Sequence, residues 1–374
     1  MSGAKPPIVV FAYAFAHRKT QDFLLELLSA GYRQISVIAA PWAALPHRDD
    51  NCYFPTTLQH VLPRPAHELC EVFGLRYVAT PHDDHAAIKS VVEEAGARLG
   101  IIAGARILRR AVVDLFAEGV VNFHPGKLPE TAGLDAFFYS LKRNVPFGVT
   151  AHFIDGRVDA GMQLFFEETS IGPTDSPEAV LHNNYQSQIK ALRRFLDLLQ
   201  SDALSLSAVD RPYRNMPMEP DQKRLALASF AEWRAARLNA QRATNLLSAC
   251  EQGDLSTAAT ILAEDPQLIE HRSQEGWTPL IIAAYNQHLD LVRSLLKLGA
   301  DPNATGRNGT TPLMYAKTGL LHNSAAGYEL LEILLNAGAD LRRRDRHGRD
   351  ILDYASAAGD VRMLEWLNSR SGAL

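Results

Sequence analysis

Between residues 8 and 123 the chain alternates short, almost wholly apolar runs with longer stretches whose apolar positions recur every three or four residues. The short runs read as strands buried on both faces, and the longer ones as the helices that cover them. Strands are expected at 8–13, 35–40, 77–79, 99–103 and 120–123, with helices at 20–30, from about 83, and at 110–118. Gly31 stands just past the first helix, where a left-handed residue commonly ends one. This order predicts a mostly parallel sheet wrapped by helices, a doubly wound α/β fold.

Further on, GVTAHFI at 148–154 alternates like a strand, and 162–166 supplies a hairpin mate. Residues 176–199 form a long amphipathic pattern opened by Ser-Pro, a favoured helix start. Residues 201–220, rich in Ser, Pro, Arg and Met, hold no sustained period and read as an irregular tail draped over the first domain. A helical pattern returns at 225–242. The expected division is therefore a first domain at 1–220 (core 1–200, tail 201–220), a helical connector at 221–242 and a further domain at 243–374.

That last region repeats itself. Gly276-Trp277-Thr278-Pro279-Leu280 recurs as Gly309-Thr310-Thr311-Pro312-Leu313, 33 residues later, and more weakly at Gly348-Arg349-Asp350-Ile351-Leu352. Gly299-Ala300-Asp301 recurs as Gly338-Ala339-Asp340. A period of about 33 with TPL at a helix start is the pattern of ankyrin repeats. Thr caps the helix, Pro takes its first turn and Leu packs on the next repeat. The second spacing is longer, and the extra residues fall around 318–327, where they are expected to lengthen the connection between two helices. Residues 243–272 keep the helix-helix pattern without TPL, which suits a capping repeat. An all-α module is expected here.

Composition changes the picture mainly by exclusion. With 47% hydrophobic and 21% charged residues and a formal charge of −4, the chain is an ordinary globular one without a basic field for nucleic acid. The three cysteines, Cys52, Cys70 and Cys250, match no metal or redox spacing. They read as reduced thiols of a cytoplasmic protein. The apolar run at 8–16 is too short to span a membrane.

Candidate chemistry is concentrated in Asn122-Phe123-His124-Pro125-Gly126-Lys127-Leu128-Pro129, then GVTAHFID at 148–155 and Asp159-Ala160-Gly161. Asn122 and His124 lie two apart at a strand end, so they share a face where open α/β sheets place their ligands. For an amine attacking a formamide-like carbon, Asn122 can donate to the oxyanion, His124 can move the proton, and Asp159 can hold the imidazole or its water. No metal is required. Taken singly, each has an ordinary structural role: a packed histidine, an amide bonding its own backbone, a turn aspartate.

Together these motifs resemble the folate-dependent formyltransferases, whose pattern is N-x-H-P-x-x-L-P, then G-V-T-x-H-F-x, then D-x-G. The resemblance covers roughly residues 70–170 and extends less clearly to about 220. It implies a Rossmann-like formyltransferase domain, N10-formyltetrahydrofolate as donor, and Asn122, His124 and Asp159 as the catalytic residues. Arg106, Ile107 and Leu108 would border the pterin, and the loop beginning Ile154-Asp155 would hold its edge. Arg106 could equally be a surface helix cap, and Ile107 and Leu108 core residues. One departure stands out: where relatives continue L-P-x-x-R-G, this chain reads Leu128-Pro129-Glu130-Thr131-Ala132-Gly133, without the arginine. Another is the turn 14–20, which lacks a glycine-rich phosphate cradle and offers His17, Arg18 and Lys19 before a helix.

The HPG loop and the appended repeats look most like the bacterial sugar N-formyltransferases, which implies the amine of a nucleoside-diphosphate-linked amino sugar as acceptor and a product destined for surface polysaccharide such as lipopolysaccharide. Lys127, Tyr185, Arg211 and Tyr213 are the candidate substrate contacts; ordinary packing or solvation is the plainer reading of Tyr185, Arg211 and Tyr213. Glycinamide ribonucleotide as acceptor, hydrolysis of the donor and a non-catalytic scaffold stay open. Ankyrin repeats imply a protein partner or a regulatory nucleotide, received for instance at Arg342-Arg343-Arg344-Asp345-Arg346, and leave room for a homodimer.

Overall fold

A computed structural model describes residues 5–43, 63–157, 159–209, 215–322 and 328–371. The chain divides into two compact units, Met1–Arg237 and Leu238–Leu374.

In the first unit, eight strands among the described residues form one sheet: β1 (Ile8–Tyr13), β2 (Ile35–Ala40), β3 (Arg76–Ala79), β4 (Leu99–Ile102), β5 (Gly119–His124), β6 (Gly148–Ile154), β7 (Gly161–Glu168) and β8 (Ser207–Val209). Their order across the sheet is β3-β2-β1-β4-β5-β6-β7-β8. Neighbours from β3 to β5 run parallel, and β5 to β8 antiparallel. The connecting helices are α1 (Arg18–Ser29), α2 (Ala66–Phe73), α3 (His85–Ala95), the single turn α4 (Arg110–Val113), α5 (Ala136–Arg143) and α6 (Pro177–Gln200). The α/β fold expected from the sequence is the fold observed.

Side chains on successive strand positions go to opposite faces, and β1 shows it. Ile8, Val10 and Ala12 join one core with Phe23, Leu27, Leu192 and Phe195 of α1 and α6. Val9 and Phe11 join the other with Ile88, Val92 and Val112 of α3 and α4. Both faces are covered, which is why the strand carries no polar alternation.

Three differences from the sequence reading have physical reasons. The helix expected at 110–118 ends at Val113; Val112, Val113 and Phe116 keep a helical spacing only because all three pack on the sheet, while Glu118 N–H is drawn to Arg98 O at 2.8 Å. The tail expected to be irregular contributes β8, pairing with β7 at the edge of the sheet. The helical stretch at 225–242 is two helices, α7 (Pro220–Ala228) and α8 (Phe230–Gln252), parted at Ser229. Phe230 and Trp233 pack with Phe137 and Phe147 in a separate aromatic cluster.

The second unit begins within α8 and continues with α9 (Leu255–Glu264), a 3-10 turn at Pro266–Glu270, α10 (Pro279–Tyr285), α11 (Leu289–Lys297), α12 (Pro312–His322), α13 (Glu329–Asn336), α14 (Ile351–Ala357) and α15 (Val361–Ser371). The TPL motifs act as expected: the Thr278 hydroxyl accepts from Ile281 N–H at 3.3 Å, and that of Thr311 from Met314 N–H at 3.4 Å. At the weak third copy Asp350 and Asp353 form a reciprocal capping box. One continuous core runs from Ala243 to Leu367. Where a longer interhelical connection was expected, part of the additional length extends α12, which has 11 residues against seven in α10 and α14.

Candidate active site

Strand β5 delivers the candidate residues. Val121 and Phe123 face the α1/α6 core, so Asn122 and His124 face the other way. Antiparallel register sets Asn122 opposite His152 and His124 opposite Thr150 on β6. Asn122 Nδ2 lies 3.2 Å from His152 Nε2, and His152 Nδ1 lies 3.3 Å from Ala160 O. Since a carbonyl only accepts, the His152 proton sits on Nδ1 and its Nε2 accepts from the amide. Burial, reinforced by the neighbouring His124, lowers the His152 pKa to about 4. It is a neutral ring that fixes which way the Asn122 amide faces.

After His124 the chain folds back tightly. Thr150 Oγ1 donates to Gly126 O at 2.7 Å and accepts from Leu128 N–H at 3.2 Å. A Cβ on Gly126 would lie 2.3 Å from Thr131 Oγ1 and 2.9 Å from His124 Nε2, so only glycine fits there. The fold-back places Thr131 O at 3.0 Å from His124 Nε2. On the other side of the ring, Asp159 Oδ1 is 3.5 Å from His124 Nδ1. Both ring nitrogens thus face oxygen acceptors. Asp159 adopts a left-handed backbone (φ 48°), an uncommon conformation for a non-glycine residue, and its Oδ2 accepts from Gly133 N–H at 2.7 Å. Burial opposes its ionisation, but the adjacent His124, the Gly133 N–H and His152 outweigh burial and hold its carboxyl well below the usual range.

Asn122, His124 and Asp159 are therefore brought together. The flanking candidates divide. Leu108 is 4% exposed inside the α3/α4 core, so its side chain is packed away from any ligand, whereas Ile107 is 62% exposed. Arg106 N–H is held by His82 Nδ1 at 3.1 Å, and its guanidinium donates to Ala43 O at 2.9 Å and lies over the Tyr13 ring. Ile154 packs against the same core as Leu108, and Asp155 pairs with Arg157. Gly156, in the loop after β6, lies close to α4: a Cβ there would come within 2.7 Å of Arg110 Cβ.

On the acceptor side, Lys127 pairs with Glu130 at 3.3 Å. Tyr185 does not stand open for a base; its hydroxyl donates to Asp22 at 2.5 Å and the Arg18 guanidinium lies over its ring, fastening α6 to α1. Arg211 and Tyr213 lie outside the described residues. The arginine run of the repeat unit is partly committed, with Arg344 donating to Gly348 O and Asp345 buried and bonded to the Tyr354 hydroxyl.

Sequence reasoning missed one residue of this site. His152 stood in the quoted motif, and only pairing of β5 with β6 shows that it touches Asn122. Lys19 donates to Phe123 O, between Asn122 and His124, at 3.2 Å, and burial lowers its pKa to about 7. Among the described residues no group of three or more His, Cys, Asp or Glu is placed to hold a metal ion, and no helix is long and apolar enough to cross a membrane.

Residues 61–196 match the formyl transferase family. Residues 246–319 and 324–367 match ankyrin repeats. The chain thus carries a formyltransferase domain followed by an ankyrin module. Among similar proteins, the trifunctional purine biosynthetic protein adenosine-3 of Gallus gallus is 30% identical over 122 residues, 32% of this chain and 12% of that protein. Ankyrin repeat and SAM domain-containing protein 6 of Mus musculus is 28% identical over 166 residues, 44% of this chain and 17% of its own length. Ankyrin repeat and SOCS box protein 11 of Homo sapiens is 30% identical over 126 residues, 34% and 36% of the two chains. The chain spans between 12% and 36% of the length of these three relatives.

Proposed function

We propose that the N-terminal unit transfers a formyl group from N10-formyltetrahydrofolate to the primary amine of a nucleoside-diphosphate-linked amino sugar. The observation that carries this reading is the meeting of His124 with Asp159 on one side and, through His152, an oriented Asn122 on the other. When bound, the folate donor supplies the activated formyl carbon. Asn122 stabilises the negative charge that develops on the formyl oxygen; such a donor contributes about 10²–10³-fold in rate. His124 carries the proton from the attacking amine toward the leaving nitrogen, and Asp159, kept ionised, stabilises the ring while it holds that proton. Ile107, Arg106 and the 154–159 loop border the pterin, Lys127 serves the acceptor, and Arg211 and Tyr213 receive the nucleotide. The repeat unit offers a surface for a protein partner or a regulatory nucleotide. A relative named for purine biosynthesis keeps glycinamide ribonucleotide in view as a second acceptor.

The test is mass spectrometry of uridine- and thymidine-diphosphate amino sugars and glycinamide ribonucleotide, each incubated with the protein and N10-formyltetrahydrofolate. A formyl group gained by a nucleotide sugar supports the reading. Gain by glycinamide ribonucleotide alone replaces the acceptor, release of formate without an acceptor points to hydrolysis, and an unconsumed donor points to a scaffold.

A further inference from the structure

We propose that Asn215 and Arg143 form a bracket that positions the 130–133 loop, and through it His124 and Asp159; this rests on the formyl-transfer reading above. The loop lacks the arginine that its motif leads one to expect, Ala132 standing in that place, fully buried. A guanidinium reaches the same loop from elsewhere. Arg143, in the last turn of α5, donates to Glu130 O and, at 2.8 Å, to Asn215 Oδ1. Asn215 is 6% exposed, and its amide donates to Glu130 O at 3.1 Å and Ala132 O at 2.9 Å, using both of its N–H groups.

Contacts along this loop alternate. The carbonyls of Glu130 and Ala132 go to the bracket, while between and after them Thr131 O takes the His124 ring and Gly133 N–H takes the Asp159 carboxylate. The four residues therefore carry two outer fastenings and two inner contacts with the reacting groups. Their outer support is itself anchored: Met218 N–H donates to Asp135 at 2.8 Å, the Tyr139 hydroxyl to Met216 O at 2.8 Å, and Lys223 pairs with Asp135 at 2.9 Å. Segment 215–223, far along the chain from His124, is thereby made part of the machinery that aims it. Releasing the loop leaves two carbonyls without their partners and lets Thr131 O and Gly133 N–H move. A displacement of about 1 Å at reacting groups costs about 100-fold in rate.

The experiment compares full-length Asn215→Ala, Asn215→Asp and Arg143→Ala with the wild type, on whichever acceptor the wild type formylates. Asn215→Asp keeps size and removes both donors, so it serves where the alanine variant folds poorly. Expected is a kcat lowered about 100-fold per folded enzyme, with KM for donor and acceptor held. An unchanged kcat per folded enzyme, or a loss seen only in KM, overturns the bracket. A wild type that formylates nothing overturns the reading beneath it, and the bracket is then judged by nuclear magnetic resonance. Backbone amide exchange at residues 130–133 should quicken in Asn215→Asp, and unchanged exchange overturns the proposal.

Discussion

In the repeat unit Thr278, Thr311 and Asp350 are almost fully buried, and each uses its side chain on a backbone N–H three residues further on. In the N-terminal unit His124 and His152 are just as buried, yet the contacts that tie the site together join residues 7, 26 and 30 positions apart. A capping hydroxyl stabilises one helix and has no further consequence. A histidine held by a distant carbonyl and a distant carboxylate depends on every element that brings them together, and its polar contacts are not consumed within its own strand. The difference separates polar groups that build the chain locally from polar groups that the fold assembles.

The largest expected effect breaks the comparison at its centre. His124→Ala removes the proton carrier and should lower kcat by about 10³-fold, within the range for general acid–base groups, with donor binding retained in a fluorescence titration; near-wild-type turnover would sink the assignment. Next comes pH. His152 is neutral when folded, its pKa lowered to about 4 against an ordinary 6.5, so the unfolded chain takes up that proton first as the solution is acidified. Stability is therefore intact above the ordinary histidine range and is lost as pH falls from about 6.5 toward about 4, by about 3 kcal/mol in all. His17 and His82, also lowered, add to the slope. The measurement is the urea midpoint of wild type and His152→Gln across that window, and equal slopes would refute the prediction.

Gly126→Ala forces a methyl against Thr131, Ala136 and His124, and overpacking of this kind costs about 1–3 kcal/mol. Thermal unfolding should show that loss together with a fall in kcat; a variant as stable and active as wild type would mean the turn has room. The smallest effect sharpens the contrast from the other side. Thr278→Ala removes a helix cap and should cost about 1 kcal/mol in chemical unfolding of the repeat unit, with formyl transfer unaltered. A loss of turnover there would show that the two units are coupled.

Much of this is legible in the sequence. β1, β2 and the first helix were readable because apolar runs buried on both faces look alike wherever they occur, and the TPL motifs because cap, proline and leucine act within one turn. The fold of the 124–133 segment was not. The sequence does not announce that Gly126 must lack a Cβ, since the atoms a Cβ would meet, on Thr131, Ala136 and His124, are gathered there only by the fold-back. Tyr185 is a candidate substrate contact whose plainer reading is ordinary packing, and only the fold shows that its hydroxyl is bonded to Asp22, 163 residues away. Leu108 and Ile107 are adjacent and equally apolar, and only packing told which of them is buried. Helix α5 escaped notice because it is short and its Asp135 cap makes no side-chain bond to the helix.

The sequence by itself determined the alternation of strands and helices, the repeat period, and the presence of an amide, an imidazole and a carboxylate in an order that suits formyl transfer. These are properties of spacing, and spacing is written in the chain. Only the tertiary structure decided that Asn122 is turned by His152, that His124 lies between Thr131 and Asp159, and that Asn215 holds the loop between them. Hydrogen bonds of that kind join groups from seven to 85 residues apart in directions set by strand register, and register is settled by the packing of whole sheet faces rather than by any residue that takes part in the bond.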